Sequence, residues 1–126
     1  MIERFLTLTA IIEAATGLAL IALPAIVVRL LLGAEISGAS IPLGRVAGAA
    51  LLALGVACWL ARNDRQSRAA RGLVVAMLVY NIVATAVLAF AGIGLGLHGV
   101  ALWPAVLLHA VMAIWCIVCL RRSPSM

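Results

Sequence analysis

Five polar side chains stand out because their surroundings are almost wholly apolar: Glu13, Arg45, Tyr80, Asn81 and His109. A carboxylic acid and an imidazole can pass a proton between them, a phenol and an amide can orient a substrate group, and a guanidinium can hold an anion. An ionisable side chain at the centre of a hydrocarbon layer costs at least ~2.5 to 3.5 kcal/mol, so each needs a structural or functional reason to be there. Glu13 and His109 are the candidates for acid-base catalysis, and all five are candidates for ligand binding.

The elements that must position them follow from composition. Of 126 residues, 67% are hydrophobic and only 10% are charged, with a mean hydropathy of +1.27. A soluble domain is roughly half apolar and about a quarter charged. This chain therefore reads as an integral membrane protein. Lipid offers no hydrogen-bond partner, so the backbone must close its own bonds, and long unalternating Leu, Ala, Val and Ile runs select helices over a barrel. The expected fold is all-α, a four-transmembrane-helix bundle in a single domain, with spans at 5–28, 41–60, 72–91 and 100–120. Pro24 lies near the far end of the first span as a source of bending, and Pro104 falls in the first turn of the fourth, where a missing N–H costs least.

The strongly charged run Arg62-Asn63-Asp64-Arg65-Gln66-Ser67-Arg68-Ala69-Ala70-Arg71 divides the chain near its midpoint into two hairpins. All nine basic residues are arginine and the net charge is +5. They cluster at span ends, which assigns them to topology and phospholipid headgroups, with nothing pointing to nucleic acid. Arg4, the basic run and Arg121-Arg122 mark one side, against Arg29 and Arg45 near the first connection. The positive-inside rule then places both termini and the basic loop in the cytoplasm of a bacterium, with the chain multi-pass in its inner membrane. Trp103 at the outer boundary and Trp59 with Trp115 at the inner one fit an aromatic belt. Glu3 beside Arg4, and Glu13 within the first apolar run, argue against a cleaved signal peptide.

At 1.5 Å per residue, Glu13, Asn81 and His109 fall within about 12 to 18 Å of the inner ends of their spans, a common layer. Arg45 falls about 25 Å away, near the outer surface, where it either snorkels to headgroups or reaches down towards that layer. Helical spacing puts Thr9, Glu13, Thr16 and Gly17 on one face, Asn81 and Thr85 on another, and Ala105, His109, Met112, Ala113 and Cys116 on a third. Two readings stand side by side: polar glue worth about 1 kcal/mol per interhelical contact, and a site for a ligand, a proton or catalysis. In the second span Gly44, Gly48 and Gly55 form a small-residue face for close packing, within the bundle or between copies.

Cys58, Cys116 and Cys119 all fall in apolar spans and read as small buried hydrophobes. No metal site or cofactor is expected. His98 reads as a loop residue, and the Gly92 to Gly99 stretch, without the strand, helix and lysine of a phosphate loop, as a tight turn.

Gly17 and Pro24 in the first span, Leu31-Leu32-Gly33 after it, then Arg45-Val46-Ala47-Gly48 and Leu54-Gly55, resemble the first hairpin of the DoxX-like small four-helix bacterial membrane proteins. The resemblance implies the four-helix fold and, for some members, a role as an accessory subunit; it carries no catalytic residue. In length, helix count and the place of Glu13 the chain also resembles the small multidrug resistance transporters, without the aromatic and glycine motifs of their later helices.

Three function classes follow. One is a membrane module that binds a small or lipidic ligand at the polar layer, or docks as an accessory subunit on a membrane complex. Another is a membrane-embedded acid-base enzyme, of isomerase or cyclase type, on an isoprenoid, sterol-like or quinone substrate. In it Glu13 donates the proton, His109 sets its state, and Asn81 or Tyr80 orients the substrate. The third is a proton-coupled exporter working as a homo-oligomer. The expected partners are the lipid bilayer, a hydrophobic small molecule, and either further copies or a larger membrane complex.

Overall fold

The computed structural model describes residues 1–64 and 67–122. Arg65 and Gln66 of the basic run and the tail 123–126 lie outside the described residues. The described residues form five helices: α1 (Ile2–Ala22), α2 (Pro24–Leu32), α3 (Ser40–Ala61), α4 (Arg68–Ile93) and α5 (Leu102–Arg122). Four of them, all but α2, are long and apolar enough to cross a membrane. The chain is an all-α, multi-pass membrane protein.

The first span differs from its expected limits of 5–28. Its helix starts at Ile2 and ends at Ala22, because Leu23 leaves the helical region (φ −135°, ψ 56°) and Pro24 opens a separate helix at its first position. Proline has no N–H to give to the turn before it, yet its fixed φ suits a helix start, so the same residue ends α1 and begins α2. Gly33 closes α2 in the left-handed conformation at φ 68°, a backbone state that a β-carbon disfavours. The third span also begins earlier than residue 72. The Ser67 side chain accepts the Ala70 N–H at 3.0 Å, an N-cap that draws Arg68 and Arg71 into the first turn of α4. Trp59 and Arg62 close the end of α3, with the guanidinium 3.6 Å from the indole centre and hydrogen-bonded to the Trp59 carbonyl.

Packing pairs α1 with α3 and α4 with α5. Across the first pair the backbones touch: a β-carbon on Gly17 would fall 2.6 Å from the Gly48 carbonyl oxygen, and one on Gly55 would fall 2.8 Å from the Ala14 nitrogen. Gly44 faces Pro24 on the same side. The small-residue face is thus consumed inside the protomer. The two pairs meet most closely at the end that carries the N-terminus and the basic loop. There Phe5, Leu6, Cys58, Val74, Met77, Cys116 and Cys119 are buried in one cluster. Trp115 packs edge-on against Phe5 with ring centres 5.6 Å apart, so it belongs to the contact between pairs as well as to an interfacial belt.

At the opposite end the pairs diverge and are bridged by α2. The Ala101 N–H donates to the Leu30 carbonyl at 2.9 Å, and Gly99 lies directly against the Leu31 carbonyl group. This backbone latch ties α2 to the start of α5.

Candidate functional site

Between the latch and the packed end lies a cavity of about 480 Å³. Its floor is the polar layer, and its walls come from all five helices. α1 gives Glu13, Thr16 and Leu20; α2 gives Val27, Val28, Leu30 and Leu31; α3 gives Leu51. α4 gives Tyr80, Ala84, Val87 and Leu88, and α5 gives Ala105, Leu108 and His109. A mostly apolar lining with a few convergent polar groups is the usual make-up of a small-molecule site, and the volume falls in the usual range of roughly 300 to 1,000 Å³. Leu30, Val87 and Leu108 are 49%, 60% and 39% exposed, so the rim reaches the side of the bundle that faces lipid.

The polar groups form one connected arrangement. Asn81, 2% exposed, donates from its amide nitrogen to the Met77 carbonyl one turn earlier at 2.7 Å, and its amide oxygen lies 2.9 Å from His109 Nδ1. Thr85 in turn donates to the Asn81 carbonyl at 2.7 Å. The Tyr80 ring stands edge-to-face on the His109 ring, centres 5.5 Å apart and planes at 82°. The Glu13 carboxyl, 4% exposed, belongs to a residue that lines the same cavity as Tyr80 and His109. Polar and ring contacts therefore join α4 to α5, and Glu13 of α1 shares the cavity wall with them.

Four of the five candidate residues meet here: Glu13, Tyr80 and His109 on the wall, and Asn81 behind His109. Arg45 does not. It is exposed and off the cavity wall, because it lies about 100° around α3 from Gly44, and Gly44 and Gly48 are the residues turned inward. Thr9, one turn below Glu13, is fully buried, and its hydroxyl makes no hydrogen bond among the described residues.

His98 is exposed on the loop before α5 with its backbone against Gly33, away from the cavity. Cys58, Cys116 and Cys119 are buried in the packed end, with no disulfide among the described residues. Among the described residues no group of three His, Cys, Asp or Glu side chains is placed to hold a metal ion.

Sequence reasoning missed the contribution of α2, four of whose residues line the cavity. The signal was present: Leu23-Pro24, followed by Gly33 nine residues after the helix start, marks a separate short helix. Missed as well was Leu51 as a wall residue, for which pattern alone offers no cue, whereas helical spacing had already put Thr16 on the face of Glu13. Comparison of the chain with protein-family models, curated proteins and solved structures finds no match.

Proposed function

We propose that this protein is a ligand-binding module of the bacterial inner membrane, with both termini and the basic loop cytoplasmic and the cavity in the outer half of the bilayer. Its ligand is a hydrophobic small molecule or lipid with one polar group, which enters sideways from the bilayer past Leu30, Val87 and Leu108. The observation that carries this reading is the cavity itself: apolar walls above a floor where Glu13, Tyr80 and His109 converge. The apolar body of such a ligand gains by filling an otherwise unsatisfied wall, and its polar group finds partners unavailable in lipid tails.

An exporter needs access from both faces, whereas the cytoplasmic half of this bundle is filled by the Phe5, Leu6, Met77 and Cys116 cluster. The inward-facing glycines Gly48 and Gly55 of α3 are taken up by α1 within one copy. Binding is the simpler use of the geometry. Acid-base catalysis in the same cavity is the second reading. Its favouring observation is that the Asn81 amide fixes the imidazole beside a wall that also carries a carboxyl group.

The test is purification in lipid nanodiscs followed by solvent extraction and mass spectrometry, alongside Ala84→Trp and Ala105→Phe, which fill the cavity. A specific apolar molecule retained by the wild type and lost from both variants supports binding. Wild-type protein that carries no more of any such molecule than the filled variants, and that is indifferent to Glu13→Gln, would sink it.

A further inference from the structure

The bond between Asn81 and His109 decides more than ring position. The Asn81 amide nitrogen is already committed to the Met77 carbonyl at 2.7 Å, so the atom turned to the imidazole is the amide oxygen, 2.9 Å from Nδ1. An amide oxygen only accepts, so Nδ1 must carry the hydrogen. In the neutral ring Nε2 is then a bare acceptor. Among the described residues Nε2 has no hydrogen-bond partner, and it is not among the buried, unpartnered side-chain atoms, of which the Thr9 hydroxyl is the one example. It is therefore accessible, and His109 is one of the residues that form the cavity wall.

Resting on the cavity-binding reading above, the geometry points to a ligand whose polar group is a hydrogen-bond donor, an apolar alcohol. Its O–H is accepted by His109 Nε2, on the wall where the Tyr80 ring stands edge-to-face against the imidazole. An apolar ether, aldehyde or ketone of the same shape offers Nε2 no hydrogen and leaves that nitrogen desolvated and unpaired. A site built to hydrogen-bond one group rejects the analogue that lacks it more strongly than an apolar wall discriminates by size. Asn81 does not touch the ligand. It is a positioning residue that sets the tautomer through the other edge of the ring, as a partner of a histidine commonly does.

The experiment uses the full chain in nanodiscs with three probes of one skeleton: farnesol, farnesyl methyl ether and farnesal. Binding of labelled farnesol is measured above that of empty nanodiscs, with the other two as competitors. The expected result is that the ether and the aldehyde compete about tenfold more weakly than unlabelled farnesol, the scale of one hydrogen bond. His109→Phe removes that discrimination, and Asn81→Leu lowers it. Nitrogen-15 NMR of the ligand-free wild type gives the independent readout: the His109 hydrogen sits on Nδ1, and Asn81→Leu populates the other tautomer. Equal competition by all three probes, or a hydrogen on Nε2 in the wild type, overturns the alcohol assignment and leaves the cavity reading standing. No saturable farnesol binding overturns the assignment too. If the co-purification test is then also empty, the cavity reading falls with it.

Discussion

The Asn81 amide oxygen and His109 Nδ1, 28 residues apart in the chain, lie 2.9 Å from each other across the α4–α5 pair. The bond joins side chains of two helices behind the cavity wall that His109 forms. Interhelical hydrogen bonds in membranes average well under the value expected from an unsatisfied group in hydrocarbon, because the unfolded reference also finds partners. A double-mutant cycle of Asn81→Ala and His109→Ala, read by reversible unfolding in bicelles, should give a coupling of about 0.6 to 1.7 kcal/mol. A coupling indistinguishable from zero would mean that the bond does not form in the bilayer.

Where α1 meets α3, the helices approach through backbone, not through side chains. Gly17→Ala or Gly48→Ala pushes a methyl group to 2.6 Å from a backbone atom of the facing helix, and no rotamer relieves it. Each substitution should cost about 1 to 3 kcal/mol in the same unfolding measurement, the usual range for overpacking. Gly72 is the control, since nothing lies within 4 Å of its added β-carbon and alanine is the better helix former. Equal effects at Gly48 and Gly72 would show that propensity, not close approach, governs the pair.

The latch between α2 and the start of α5 makes a separate forecast about access. Gly99→Ala places a methyl group on the Leu31 carbonyl and cannot be accommodated without displacing α2. The Ala101 to Leu30 backbone bond should weaken with it. Labelling of a Val28→Cys probe by a membrane-permeant maleimide, in a background where the three native cysteines are serine or alanine, should be several-fold faster with Gly99→Ala than without it. Unchanged labelling would mean that α2 is held by its apolar contacts alone.

Thr9 carries a hydroxyl that is fully buried and unpartnered among the described residues. An unsatisfied buried polar group costs roughly 1 to 3 kcal/mol, and valine has nearly the same shape. Thr9→Val should therefore be neutral or stabilising in the unfolding assay. A loss of more than about 1 kcal/mol would reveal a partner for that hydroxyl, such as a bound water.

Glu35, on the connection between α2 and α3, and Arg29 of α2 pair at 3.4 Å, with both side chains more than 70% exposed. Such pairs contribute about 0 to 1 kcal/mol, so Glu35→Ala should leave the unfolding midpoint and the labelling of Val28→Cys unchanged. A clear shift in either would assign the pair a part in holding α2.

The membrane class, the helical architecture, the number of long spans and the identity of the polar residues were legible in the sequence, for one physical reason. In lipid each stretch of backbone must satisfy its own hydrogen bonds, so span-length apolar runs specify helices locally, and any polar residue within them stands out against its neighbours. Even the common depth of Glu13, Asn81 and His109 followed from counting residues along the helix axis. The sequence did not decide which faces turn towards each other. Arg45 and Asn81 are both polar residues within spans. Rotation of α3 about its axis, set by Gly44, Gly48 and Gly55 against α1 and α2, sends Arg45 outward, while α4 and α5 pack so that Asn81 meets His109. The cavity is likewise a product of assembly. It exists because the pairs close through large side chains at the Phe5 and Trp115 end and stand apart at the other, where α2 spans the gap. Depth along a helix is a local quantity that one chain segment determines; azimuth and the space between helices depend on every partner at once, and only the packed bundle settles them.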